Sequence, residues 1–263
     1  MQAIRLYWCR GKGRSDKNQQ NFGDYLSPMI VEAISNRKVQ YTEARNADLL
    51  AIGSILNRES KARFLCFPRS IHIWGTGSMT PECRYSKRHH YHAVRGRLTH
   101  AQIDMAPPQM IYGDPGLLVD RLAGPSPQKK YRLGIIPHYV DQTSPFSLPL
   151  LNQSGVKFIN VFSPISQILN EIRSCHYILS SSMHGLIVSD ALGVPNSRLK
   201  FSSEIEDYKF TDYYSAFGID SPAVLYAKNL ITTELDIDQL SHGWDRPGIE
   251  LIKRKLELAF PTI

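Results

Sequence analysis

Short runs of β-branched, aliphatic and aromatic residues recur along the chain, and several of the stretches between them carry a helical period. Ala3–Cys9, Val39–Thr42, Leu49–Ser54, Ile71–Trp74 and Tyr91–Val94 read as strands in the first half. Arg132–Ile136, Val156–Val161 and Tyr177–Ser180 do so in the second. Asp24–Ser35 places Leu26, Ile30, Val31 and Ile34 on one helical face, and Ile165–Cys175 does the same with Ile165, Ile168, Leu169 and Ile172. Gly185–Leu192 reads as a helix ended by Gly193 and Pro195. In Gly248–Phe260, Ile249, Ile252, Leu256 and Phe260 line one side while Lys253, Arg254 and Lys255 crowd the other. This pattern predicts a helix that closes the fold and turns a basic face to solvent. Strands alternating with helices predict an α/β protein with largely parallel sheets covered on both faces. Two such runs flank the breaker-rich Ala123-Gly124-Pro125-Ser126-Pro127. The expected architecture is two doubly wound lobes facing a cleft, residues 1–122 and 128–246, with 247–263 as the closing helix.

Composition changes this picture little: 42% hydrophobic and 21% charged residues describe an ordinary globular protein. Charge changes it more. Of 31 Lys and Arg and 24 Asp and Glu, residues 1–122 hold 18 basic and 10 acidic side chains, and the remainder hold 13 and 14. The whole excess of +7 therefore sits in the first half, which suits an anionic surface or partner there. The opening apolar run is broken by Arg5 and is too short for a signal-peptide core, and no stretch reaches the ~20 apolar residues of a membrane span. Cys9, Cys66, Cys83 and Cys175 lie far apart without metal-ligand spacing, as expected of a reduced, cytoplasmic protein.

In open α/β sheets, ligands bind beyond the carboxyl ends of the strands, where helix N-termini present unbonded N–H groups. Ser180-Ser181-Ser182-Met183-His184-Gly185 joins a strand to a helix at such a place. Its small hydroxyl residues leave room for a ligand, the helix start favours an anion, and His184 is placed to exchange a proton. The same run also fits a plain N-cap, and it lacks the Gly-x-Ser-x-Gly spacing of a hydrolase elbow. Asn21-Phe22-Gly23-Asp24 precedes another helix, with Asp24 a natural N-cap. Trp74-Gly75-Thr76-Gly77-Ser78 follows a strand and lets a ligand approach the backbone, without GxGxxG. Val94-Arg95-Gly96-Arg97-Leu98-Thr99 sets two guanidinium groups at a strand end, suited to phosphate or carboxylate but also ordinary for a surface. Ile136-Pro137-His138 brings a further histidine to the cleft edge. Tyr208-Lys209-Phe210-Thr211-Asp212-Tyr213-Tyr214 mixes one cation with aromatics and equally fits a partly buried helix start. Of His89, His90 and His92, only the last two share a strand face, with no acidic third ligand nearby; a solvated edge is expected. Together these groups outline a site for a small anion without evident metal ligands.

Eight short segments occur in a single order across residues 21–214 and resemble the polysaccharide pyruvyl transferase family. They are Asn21–Asp24, Ile52-Gly53-Ser54-Ile55, Trp74–Gly77, Val94–Thr99, Tyr112-Gly113-Asp114-Pro115-Gly116, Ile135–His138, Ser180–Ile187 and Lys209–Tyr214. The compact length is most similar to the ketal-pyruvate transferases of bacterial exopolysaccharides such as xanthan and succinoglycan. The resemblance implies a GT-B-like fold of two Rossmann-like lobes with mostly parallel sheets facing a central cleft. It implies phosphoenolpyruvate as donor, no cofactor or metal, and a sugar of a polyprenyl-pyrophosphate-linked oligosaccharide as acceptor. The product is then a cyclic ketal across two sugar hydroxyls, often O4 and O6. His184 fits the family's proton-transfer histidine, Arg95 the arginine of its VRG-type motif, and Lys209 a lysine downstream. Asn21, Gly23, Asp24, Gly75, Thr76, Gly77, Arg97, His138, Ser181, Ser182, Met183 and Gly185 are expected to bind donor or substrate. One departure stands out: many members carry Arg-Leu-His where this chain has Ser182-Met183-His184. His138, Lys209 or Arg97 are the candidates to supply the missing cation.

On this reading the basic first lobe faces the acceptor and the anionic inner face of the membrane, and the second supplies most of the donor site. Two other readings compete. A nucleotide-sugar glycosyltransferase of the same fold needs an acidic ribose ligand, for which Glu204, Glu206 and Asp207 qualify. A nucleic-acid-binding protein would use Arg10-Gly11-Lys12-Gly13-Arg14 and Lys17, but no zinc-finger spacing, RNP motif or helix-turn-helix accompanies that tract, and no nucleic-acid partner is expected.

Overall fold

The computed structural model describes residues 2–10, 22–64, 67–142, 144, 153–201, 207–220, 222–230 and 235–263. Asn21, Glu204, Glu206 and the basic tract beyond Arg10 lie outside them. In the first lobe β1 (Ile4–Tyr7), β2 (Val39–Tyr41), β3 (Leu49–Leu50), β6 (His72–Trp74), β7 (His90–Val94) and β8 (Ile111–Tyr112) form one sheet. Its order is β2-β1-β3-β6-β7-β8, parallel at every pair. β4 (Arg63–Phe64) and β5 (Phe67–Pro68) make a separate antiparallel ribbon. The second sheet is also parallel throughout, β9 (Tyr131–Ile136), β10 (Val156–Phe158), β11 (Cys175–Ser180), β12 (Asn196–Lys200) and β13 (Val224–Tyr226), in the order β10-β9-β11-β12-β13.

The longer helices are α1 (Phe22–Ser35), α3 (Ile165–Arg173), α4 (Met183–Ala191), α5 (Tyr208–Ser215) and α8 (Ile249–Leu258). Single turns form α2 (Arg97–His100), α6 (Ala227–Leu230) and the slightly longer α7 (Ile237–His242). Two parallel α/β sheets arranged as two lobes match the architecture that the alternation of strands and helices predicted and the GT-B-like fold that the resemblance implied.

Strand periodicity explains how each sheet is covered. Side chains alternate between faces, so on β9 Leu133 and Ile135 join one core cluster and Ile136 another, as Tyr177 and Leu179 oppose Ile178 on β11. Likewise Ile73 on β6 packs beneath the first sheet with Leu50, Leu56 and Val94, while Trp74 faces the other way. The main cluster runs through both lobes. Leu6 and Trp74 reach Ile136, Leu186 and Ile187 through Leu26 and Ile30 of α1 and Leu117 and Leu118 of the 3-10 run Pro115–Leu122. The lobes therefore meet over shared apolar packing that encloses their polar groups.

Three expectations need correction. Leu49–Ser54 is a strand only at Leu49–Leu50, because Gly53 takes a φ of +98° and bends the chain. The basic face of α8 is not uniformly solvated. Lys253 is 8% exposed and its Nζ donates to Asp120 Oδ2 (3.1 Å), the Ala191 carbonyl (2.9 Å) and Glu250 Oε1 (3.0 Å). It thereby places a cation at the C-terminal end of α4, where the last carbonyls favour one. Arg254 and Lys255 stay exposed, and the indole of Trp74 ties the helix to the first lobe by donating to the Leu256 carbonyl at 2.9 Å.

The histidine edge is the third. His89 is buried against Glu59, and His72 lies between His90 and His92, with ring centroids at 4.9 and 5.1 Å. Burial and the two neighbours push the His72 imidazole down to about 4. Among the described residues no helix is long and apolar enough to cross a membrane.

Candidate active site

β9 and β11 lie side by side, and their carboxyl ends deliver His138 and the Ser180–His184 turn to one place. The turn is not a plain helix cap. Ser180 Oγ donates back to the Ile136 carbonyl (2.8 Å) and accepts from Ser182 N (3.0 Å), while Ser182 makes no capping bond to α4. Ser181 Oγ accepts from His138 N (2.8 Å) and donates to Asp141 Oδ2 (2.6 Å). The serines thus shape the loop, and the first-turn N–H groups of α4 receive no side-chain cap from Ser182. Gly185 is needed for the same reason, since a Cβ there would crowd the Ser180 side chain and come within 3.1 Å of Ile136. Met183 is buried in the main core cluster.

His184 stands in the first turn of α4 and is 6% exposed. Its ring lies directly on Gly23, where a Cβ would fall 2.6 Å from the His184 Cβ and closer still to the ring. Its Nε2 is buried and, among the described residues, has no hydrogen-bond partner. Burial first, then Lys209, Arg95 and His138, drive its pKa down to about 3, so the imidazole is neutral at physiological pH. His138 follows the same logic, lowered to about 4 by burial and Lys209.

Asp24 belongs to the first turn of α1. The helix begins at Phe22, so Asp24 lies inside it and is not the N-cap the sequence suggested. The residue is partly exposed, yet protein surrounds its carboxyl closely enough to raise its pKa to about 7 against the pull of Lys209. A Cβ placed on Gly53 would sit 3.7 Å from Asp24 Oδ1 and 3.9 Å from His184 Cε1, so acid and imidazole flank the same glycine. Lys209, in the first turn of α5, is lowered to about 8, chiefly by burial and by Arg95 and Arg198, while Asp24 and Asp141 hold it up.

The glycine turn and the arginines behave differently from the expectation drawn from sequence. No ligand space opens at Gly75 or Gly77. A side chain at Gly75, whose φ is +85°, would run into Pro115, and one at Gly77 would meet Arg95 Nε at 2.6 Å. Thr76 is buried, its Oγ1 donating to the Gly53 carbonyl at 2.7 Å.

Arg95 is wholly buried, and all three of its guanidinium nitrogens donate to protein. Nε bonds Asp212 Oδ2 (2.9 Å), one terminal nitrogen bonds Ser54 Oγ (2.6 Å) and the other the Ser78 carbonyl (2.5 Å). Asp212 also accepts from Thr99 N (2.8 Å) and Thr99 Oγ1 (2.6 Å). This network joins the VRG segment of one lobe to α5 of the other, and Gly96 lets the two backbones touch. Arg97 lies outside the cluster, exposed, with its Nε on the Ser215 carbonyl at 3.0 Å and its guanidinium 5.2 Å from the Tyr112 ring.

Site reasoning from sequence assigned no role to Asp212, Asp141 or Asp114. Asp114 is fully buried and accepts from Gly116 N (2.8 Å), and burial lifts it to about 6. Their signal was present only as letters inside motifs. A cavity of about 330 Å³ lined by Tyr177, Asn196, Tyr214, Trp244 and Arg246 opens near the amino-terminal ends of β11 and β12, away from these groups.

Two lobes of parallel sheet bridged by a buried ion pair, with a neutral histidine and a lysine in the first turns of two helices, define a GT-B-like α/β protein. The sequence pattern described as polysaccharide pyruvyl transferase matches residues 7–197, and the chain belongs to that family of pyruvyltransferases. Lys209 and Asp212 fall beyond the matched stretch. The chain is 28% identical over 262 residues to an uncharacterized protein of Acanthamoeba polyphaga mimivirus, covering 92% of this chain and 88% of that one. It is 24% identical over 205 residues to the succinoglycan biosynthesis protein ExoV of Rhizobium meliloti, covering 76% of this chain and 62% of ExoV.

Proposed function

We propose that the protein transfers the pyruvyl group of phosphoenolpyruvate to two hydroxyls of a sugar, closing a cyclic ketal and releasing phosphate. The acceptor in this reading is a lipid-linked repeat unit of a polysaccharide. Similarity to ExoV, a succinoglycan biosynthesis protein, supports that class of acceptor. The observation that carries the reading is the buried, neutral His184 with an unpartnered Nε2 at the head of α4, beside Lys209.

A nitrogen in that state accepts a proton from a hydroxyl. Lys209 and the first-turn N–H groups of α4 meet the carboxylate and phosphate of the donor, so side chains and helix-end dipoles carry its charge in this scheme. His138 and Ser181 bound the same space. Gly23 seats the histidine and Gly53 keeps the approach clear. Arg95 acts as a positioning residue: bound to Asp212, it holds α5 and therefore Lys209 in place, and its charge helps keep His184 neutral. The missing arginine of the family pattern is replaced here by Lys209. The basic first lobe lies against the anionic membrane surface that presents the acceptor lipid, making the enzyme a peripheral one on the cytoplasmic side.

Incubation of the protein with phosphoenolpyruvate and lipid-linked oligosaccharides, followed by phosphate assay and mass spectrometry, tests this directly. The expected product carries one ketal-linked pyruvate. His184→Ala should lower turnover about 10²–10⁴-fold with the fold intact. Release of no phosphate, or a near-wild-type rate in the folded His184→Ala protein, would sink the proposal.

A further inference from the structure

We infer that Asp24 is the acid of this site: its carboxyl group delivers the proton that the methylene carbon of the enolpyruvyl donor must gain. The inference rests on the donor reading above. Ketal formation needs an acid at the methylene carbon and a base at the sugar hydroxyl. His184 cannot fill both posts, because burial and the cationic Lys209 and Arg95 leave it without a proton to give. Asp24 and His184 flank Gly53 from opposite helices, α1 and α4, so both reach the same space.

Asp24 also differs from the other acids nearby. Asp212 is taken up by Arg95 and Thr99 and Asp141 by Ser181, while Asp114 is bonded at one oxygen by Gly116 and is wholly buried, where Asp24 is partly exposed. Among the described residues, no hydrogen bond or ion pair engages the Asp24 carboxyl. The groups facing it are Lys209 on α5, neutral His184 on α4 and Tyr7 on β1. A carboxyl held near 7 carries a proton for a good part of the time at neutral pH. A bound trianionic donor would raise that share further, since two anions side by side disfavour ionisation. In its neutral form Asp24 does not repel the donor.

The atoms balance as follows. Asp24 gives its proton to the methylene carbon, the first sugar oxygen bonds the central carbon, and His184 takes the proton of that hydroxyl. The bond from the central carbon to the phosphate oxygen breaks. The second sugar oxygen then bonds the same carbon and its proton leaves with the phosphate. The proton on His184 returns to Asp24, so one donor and one diol yield one ketal and one hydrogen phosphate. A protonated acid and an unprotonated base that share one space divide the two proton transfers between them.

The test compares wild type, Asp24→Asn and Asp24→Glu for phosphate release from phosphoenolpyruvate with p-nitrophenyl hexosides and lipid-linked oligosaccharides, across neutral pH. Asp24→Asn should lose about 10²–10⁴-fold in kcat with little change in KM for phosphoenolpyruvate, and Asp24→Glu should recover part of the rate. Wild-type kcat/KM for phosphoenolpyruvate should fall as pH rises through about 7, and the asparagine variant should lack that limb. A carbon-13 NMR titration of the wild-type carboxyl, expected to turn near 7, keeps the question open to refutation if the variant fails to fold. If wild type turns over and Asp24→Asn matches it, or the carboxyl titrates near an ordinary aspartate, Asp24 is not the acid and the donor reading survives. If wild type releases no phosphate with any acceptor, both fall.

Discussion

Asp212→Ala should destabilise the protein by about 3–5 kcal/mol, the range for breaking a buried ion pair by removing one partner. The structure shows why the cost lies there. Asp212 and Arg95 are both fully buried, and the carboxylate accepts three bonds, from Arg95 Nε and from the amide and hydroxyl of Thr99. Truncation leaves the guanidinium with only Ser54 and Ser78, and strands two donors of Thr99 at about 1–3 kcal/mol each where water does not enter. For a chain of this size the loss corresponds to a fall in Tm of roughly 10 °C.

Urea unfolding followed by tryptophan fluorescence measures it, since Trp74 lies in the core that both lobes share. Arg95→Met should be costly alone, but the double variant Arg95→Met with Asp212→Ala should recover part of the loss, because no buried charge is left unpaired. A cost below about 1 kcal/mol for Asp212→Ala, or strict additivity in the double variant, would refute the view that this pair is buried and coupled.

Gly23→Ala should drive a methyl group into the His184 imidazole, costing about 1–3 kcal/mol by overpacking and at least tenfold in turnover; kcat and thermal unfolding measure the two. His184 also predicts acid sensitivity. Its folded pKa, about 3, lies below the ordinary 6.5, so the unfolded chain binds the proton more tightly, and stability is full above 6.5 and is lost as pH falls toward 3. The loss approaches roughly 5 kcal/mol at its limit. Urea midpoints from pH 7 to 4 should fall more steeply for wild type than for His184→Gln, and parallel slopes would count against the neutral, buried imidazole.

Much of the fold was legible because parallel α/β sheets write themselves as repeated apolar runs. Ile4 to Tyr7, Tyr131 to Ile136 and Cys175 to Ser180 announce strands by side-chain alternation, and the faces of α1, α3 and α8 announce helices by the 3.6-residue period. β12 escaped because its Arg198 and Asn196 are buried polar residues, which interrupt any apolar pattern. β8 escaped because two residues carry no period at all. The turn holding His184 was legible because small hydroxyl residues follow an apolar run and precede a helical one, as β11 and α4 place them.

Local order along the chain sufficed for the class of fold, the family and the position of the histidine, since each depends on neighbours a few residues apart. Pairings across more than a hundred positions lay beyond it. Arg95 reads as a free anion ligand until Asp212 is brought against it, and Asp24 reads as a helix cap until the lobes enclose it. Lys253 reads as a surface charge until Asp120 and the end of α4 surround it. Charge state and hydrogen-bond partner follow from what desolvates a group, and desolvation is a property of the packed molecule.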